Sequence, residues 1–158
     1  LEKYEDALTC FEKAIELSSN NNDLSDAWTE KGFVKEKLKD FDSAIFCQTK
    51  AIEFNPKNAD AWYMKGVSFG NQKKYVDEII CYQKALDINP NDLQVLDNMG
   101  MTLCNLGDFK NAITYFDRSI SIDPKQCIPW ENKAKALKEL GLSDEAEDCY
   151  HMAKKLGA

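Results

Sequence analysis

Residues 59–92 read ADAWYMKGVSFGNQKKYVDEIICYQKALDINPND, and the same design recurs every 34 residues on either side of them. Inside this stretch Trp62, Gly66 and Phe69 follow one another at steps of four and three, the spacing of one helical face. Tyr75, Ile79, Tyr82, Leu86 and Ile88 mark a second helix, and Asn89-Pro90 ends it, because proline has no amide hydrogen and turns the residue before it away from helical geometry. Asp92 is then placed to cap the next helix through the backbone amides of its first turn. Working outward, Gly32, Gly66 and Gly100 fall in register, as do Pro56, Pro90 and Pro124. The fourth position of the frame holds Trp28, Trp62, Leu96 and Trp130; the eleventh holds Phe69, Leu103 and Leu137; the seventeenth Phe41, Tyr75 and Phe109; the twenty-fourth Tyr82, Phe116 and Tyr150. Small residues fill the twentieth (Ala44, Ala112, Ala146) and the twenty-seventh (Ala51, Ala85, Ser119, Ala153). Helices approach to the short end of the usual separation of about 8 to 10 Å only where side chains are small, and aromatics then fill the diverging ends of the crossing. Gly107 and Gly141, between the two helices of a repeat, supply a left-handed turn.

A large apolar residue, glycine, an aromatic, alanine, an aromatic, alanine and proline over 34 residues resembles the tetratricopeptide repeat (TPR). The resemblance implies an all-α fold, a right-handed α-solenoid of antiparallel helix pairs, as a single array over residues 1–158. Full repeats are expected at 25–58, 59–92, 93–126 and 127–158. Residues 1–19 read as the second helix of a truncated repeat, since Tyr4, Ala7, Phe11 and Ala14 take its seventeenth, twentieth, twenty-fourth and twenty-seventh positions. The spacing from Ala7 to Ala44 is three residues longer than the period, and the surplus is expected in a polar turn over Ser18–Asp23. The chain reads as a segment of a longer protein.

Composition bounds the function. Hydrophobic residues are 44% and charged residues 30%, ordinary for a packed chain, and no apolar run reaches the roughly 20 residues of a membrane span. A net charge of −7 repels phosphate backbones, so nucleic acid is not expected as a ligand and neither is a membrane. Cys10, Cys47, Cys81 and Cys149 occupy one repeat position on successive helices, too far apart for disulfides. With no Cys-x-x-Cys pair and His151 the one histidine, no metal site or cofactor is expected, and the cysteines read as reduced, small hydrophobes in a cytoplasmic protein. No nucleophile, base and orienting group fall in reach of one another, so no catalytic residue and no enzymatic activity are expected.

The resemblance implies a concave surface lined by the first helix of each repeat, which receives an extended peptide or a partner's helix. At its second, fifth, sixth and ninth positions the groove residues are Asp26, Thr29, Glu30 and Phe33; then Asp60, Tyr63, Met64 and Val67; then Gln94, Asp97, Asn98 and Met101; and finally Ile128, Glu131, Asn132 and Lys135. Acidic side chains outnumber the one lysine, which predicts an acidic groove with an apolar floor and a basic or neutral protein or peptide partner with apolar anchors. The carboxylate clamp of chaperone-tail-binding members is absent: of Tyr63, Val67, Asn98, Ile128 and Asn132 only Asn98 fits it. Asn98 and Asn132 instead look like a short asparagine ladder for a peptide backbone. The function expected is a protein–protein interaction scaffold; the alternative is a regulatory or targeting segment of a larger enzyme whose catalytic domain lies elsewhere. Glu78 stands where other repeats have alanine, opposite Gly66, and is expected to reach solvent or a basic partner. The unpartnered helix at the N-terminal end is expected to support self-association.

Overall fold

The computed structural model describes residues 2–157, with side chains from residue 4 onward. Leu1 and Ala158, the outermost residues of the expected repeats, lie outside them. Nine helices account for most of the described residues, and none of these residues is in a strand. They are α1 (Glu2–Leu17), α2 (Asn21–Lys37), α3 (Phe41–Phe54), α4 (Ala59–Asn71), α5 (Tyr75–Ile88), α6 (Leu93–Asn105), α7 (Phe109–Ile122), α8 (Cys127–Glu139) and α9 (Ser143–Gly157). No helix among them is long and apolar enough to cross a membrane.

The chain forms two compact units, one through Asn89 and one from Pro90. In the first, α2 packs on α3, α4 on α5, α4 on α3, and α1 on α2. In the second, α6 packs on α7, α7 on α8, and α8 on α9. Short links make consecutive helices antiparallel.

Each link inside a helix pair closes in one way. The amide of Asp108 donates to Leu103 O at 2.9 Å and that of Gly107 to Cys104 O at 3.0 Å, with Gly107 left-handed at φ 79°. This is the paired closure that satisfies the last carbonyls of a helix. Gly141 repeats it at φ 78°. In the first unit the equivalent residues are Lys39 and Lys73, at φ 60° and 59°, where a side chain is strained. Asp40 and Asp108 then cap the following helices through Ser43 N and Asn111 N, whereas Lys74 offers α5 no side-chain cap.

The turns between pairs depend on proline. Trp62 Nε1 donates to Pro56 O at 3.1 Å and Trp130 Nε1 to Pro124 O at 3.2 Å. Leu96 replaces the tryptophan in the third repeat, and Arg118 Nη2 serves Pro90 O instead, at 3.0 Å. Trp28 has no proline turn before it, and its buried indole nitrogen makes no hydrogen bond. The surplus residues before it lengthen a helix rather than a turn. α2 starts at Asn21, capped by Asn20, whose side chain accepts from Asn22 N at 2.9 Å, and Asp23 in the first turn complements the helix dipole.

The core lies between the helices of each pair. Ala44, Ala51, Ala61, Ala112 and Ala134 are fully buried, and the ring of Phe116 is seated so closely that its Cε1 lies 2.5 Å from where a Cβ on Gly100 would stand. In the first repeat Gln48 takes the place of the aromatic; its Nε2 donates to Thr29 O at 3.1 Å.

Candidate functional site

The outward faces of α2 and α4 carry the site expected in the first unit. Asp26, Glu30 and Asp60 are exposed, and Phe33, Tyr63, Met64 and Val67 are half-buried. Thr29 departs from this face, being buried at 8% exposure. Its hydroxyl donates to Ser25 O at 2.8 Å and accepts from Asn58 Nδ2 at 3.1 Å, so it braces the start of α4 and is not free to meet a ligand. The same Asn58 amide donates to Ser25 Oγ at 2.9 Å while its oxygen caps α4 through Ala61 N. A cation not anticipated from the repeat positions also belongs here: Lys37 Nζ sits 4.8 Å from the centre of the Phe33 ring and 3.2 Å from Glu36.

Beneath Tyr63 lies an unexpected buried pair. Tyr63 stacks on Tyr82 with ring centres 5.8 Å apart. Tyr82 is 1% exposed, and Glu78, one turn earlier on α5, is 7% exposed. Glu78 therefore neither reaches solvent nor faces Gly66. Gly66 meets the Tyr82 ring at 2.6 Å from its would-be Cβ, and the Glu78 carboxyl carbon occupies the corresponding space at Gly70, at 2.7 Å. The partner of Glu78 is the Tyr82 phenol; burial first, and then the charge and hydrogen bond of Glu78, push that phenol far above its ordinary range, so it stays protonated as a donor. The expectation of a basic partner overlooked a neutral donor at the i+4 position of the same helix, a pairing that spacing alone makes available.

In the second unit the corresponding faces belong to α6 and α8. Gln94, Met101, Ile128, Glu131 and Lys135 are exposed; Asp97, Asn98 and Asn132 are half-buried. Met101 and Ile128 expose 46% and 57% of their surface, large values for apolar side chains. Asn132 Oδ1 already accepts from Lys135 Nζ at 3.4 Å, so one rung of the expected ladder has a partner within its own helix. Asp97 differs from the other acidic positions. Its Oδ1 is buried, and its polar neighbour is the hydroxyl of fully buried Ser119. Burial pushes the Asp97 carboxyl above the usual carboxylate range, with the Ser119 hydroxyl acting more weakly in the other direction.

No group of three or more histidine, cysteine or acidic side chains among the described residues is arranged to hold a metal ion. The cysteines are unpaired thiols, and burial pushes Cys47, Cys104 and Cys149 upward and Cys81 to about 11, which leaves little thiolate for chemistry.

Two sequence profiles described as tetratricopeptide repeat match the chain, one over residues 47–79 and 81–114, the other over 1–21 and 25–58. The chain belongs to the tetratricopeptide repeat family. Its fold is accordingly the all-α solenoid class of that family, and it is a protein–protein interaction scaffold; proteins of this kind are generally not enzymes. The crystal structure of MamA is similar, with a TM-score of 0.89 at 20% identity, over 98% of this chain and 88% of that one. So is that of YrrB, described as a TPR protein with an unusual peptide-binding site, with a TM-score of 0.82 at 23% identity, over 98% of this chain and 78% of that one. A second MamA structure gives 0.80 at 21% identity, over 99% and 88%. These likenesses are of fold. No curated protein matches the sequence.

Proposed function

We propose that the chain binds an extended peptide or a partner's helix on the acidic, apolar-floored faces of its first-position helices, α2 and α4 in one unit and α6 and α8 in the other. The repeat frame 25–58, 59–92, 93–126 and 127–158 is the register of this proposal. The observation that carries it is the pairing of exposed Asp26, Glu30 and Asp60 with the half-buried Phe33, Tyr63, Met64 and Val67 beside them. Carboxylates at such a rim select for charge, and apolar side chains beside them supply contact area. YrrB, which shares the fold, is itself described as having a peptide-binding site. The preferred ligand is basic or neutral with apolar anchors, and acidic segments are disfavoured because like charges would meet with no clamp to offset them.

The test is calorimetric titration with two synthetic peptides sharing one apolar pattern, one carrying lysines and one carrying glutamates between the anchors. The lysine peptide should bind and weaken as salt rises. Equal binding of both, or preference for the glutamate peptide, overturns the proposal. A second contact surface belongs to α1. Leu17 is 87% exposed and Tyr4 39%, and Ala14 is exposed where Ala51 and Ala85 are buried, so this helix presents apolar surface suited to association of copies.

A further inference from the structure

The pair formed by α8 and α9 presents a face unlike that of the other repeats. In the first three repeats Gln48, Tyr82 and Phe116 are fully buried against glycine, with side-chain atoms 2.4, 2.6 and 2.5 Å from where a Cβ on Gly32, Gly66 and Gly100 would stand. The fourth repeat has buried Ala134 in place of that glycine, and its methyl takes the seat. The aromatic that would fill it, Tyr150, is displaced and 39% exposed. Tyr150 lines two hollows of about 260 and 530 Å³, the smaller shared with Lys138 and Glu147, the larger with Glu131 and Lys154. Helices α3 and α7, each covered by the helix that follows, carry Ile45 and Ile52, and Ile113 and Ile120, where α9 carries Glu147 and Lys154. None of these charged side chains makes an ion pair with another described residue, although each shares a hollow with an opposite charge. Charge alone would suit a face turned only to water. Here the charges alternate in sign around a protruding tyrosine, flanked on its own helix by buried Ala146 and Ala153, and such a pattern is complementary to itself.

We propose that this face docks a second copy of the same chain, about a two-fold axis that lies in the interface and crosses the helices at Tyr150. Helix α9 then runs antiparallel to its counterpart, and α8 to its own. Glu147 and Lys154 lie two turns apart on one face of α9, as Glu131 and Lys138 do on α8. The rotation therefore sets Glu147 against the second copy's Lys154, and Lys138 against its Glu131, and each pairing is made twice. The two Tyr150 rings meet at the axis, where the small side chains of Ala146 and Ala153 leave them room. An isolated exposed ion pair contributes little, but pairs ringing an aromatic centre are shielded from water and also fix the register. An unrelated helix would have to reproduce this alternation of charge, whereas a second copy carries it already.

Sedimentation equilibrium on the intact chain carrying Leu17→Lys, which removes the apolar end of α1, isolates this face. It should show a monomer–dimer equilibrium that stops at the dimer and weakens as salt rises. Glu147→Lys and Lys154→Glu should each raise the dimer Kd about tenfold, and the double variant, in which the opposite charges are merely exchanged, should return it close to the parent value. Glu147→Lys also reduces the net charge of −7 and would tighten any association opposed by general repulsion, so its weakening marks a specific contact. Tyr150→Ala should weaken the dimer as well. A chain that stays monomeric, or a dimer indifferent to both single charge variants, overturns the proposal. So does weakening by both single variants that the double variant does not relieve, because Glu147 and Lys154 then do not face each other across the axis.

Discussion

At Glu78 a residue that breaks the repeat is built into the fold rather than turned out of it. The carboxylate fills the space beside Gly70 and accepts from the phenol of Tyr82, which is 1% exposed. Glu78→Ala should therefore destabilise the chain by about 2–4 kcal/mol in urea denaturation, through a cavity and an orphaned phenol. Glu78→Gln, which keeps an acceptor, should cost less. Gly70→Ala displaces the carboxylate in the wild type, but in the Glu78→Ala background the added methyl occupies vacated space and gains about 1 kcal/mol of helix propensity, so the double-mutant cycle should be strongly non-additive. Asp97 makes a titration argument of opposite sense to Asp40. The Ser43 hydroxyl, foremost, holds Asp40 below its ordinary range, so its contribution is present at neutral pH and lost as pH falls. Asp97 is raised, so the native state holds its proton longer and stability falls as pH rises from the ordinary carboxylate range through the raised value. Asp97→Asn should be neutral or stabilising at pH 7, with the difference shrinking in acid, as melting curves across pH will show. Neither side chain's role is legible from repeat position. Glu78 looks out of place beside alanines until the tyrosine four residues on is counted, and Thr29, counted with the ligand face by its position, is drawn inward by Asn58.

Helix ends separate what local chemistry announces from what it conceals. Glycine at 107 and 141 and aspartate at 40 and 108 can be read directly as a left-handed turn and a cap. Lys39 and Lys73 cannot, because lysine has no preference for positive φ; the packing of the two helices against each other imposes it. The start of α2 at Asn21 was hidden for a related reason: a run of serine and asparagine suits a turn, yet Asn20 can equally cap a longer helix. Two substitutions measure these terms. Lys74→Asp, which gives α5 the cap its counterparts have, should raise stability by about 0.5–1 kcal/mol, and Gly107→Ala should lower it by about 1 kcal/mol. Both are read as shifts in the denaturation midpoint with an unchanged slope.

For the whole molecule, periodicity carried the most information, since the spacing of glycine, proline and aromatic residues leads to the same helix pairs that the structure contains. Polar contacts were the part it hid, because a hydrogen bond depends on side-chain direction and not on register. The apolar surface of α1 gives a prediction at this scale: sedimentation equilibrium should show association that grows with concentration, and Leu17→Lys should reduce it. A profile that stays monomeric at high concentration, or association indifferent to Leu17→Lys, removes α1 from that role. The tryptophans offer a different use of the fold. Trp62 and Trp130 each tether, through the indole nitrogen, the proline turn that precedes their own repeat, while Trp28 has none to tether. Fluorinated tryptophan would thus place three spectroscopic beacons along the chain, two sensitive to a neighbouring carbonyl and one not, and the order in which their resonances respond during a titration would map where a bound partner first touches down.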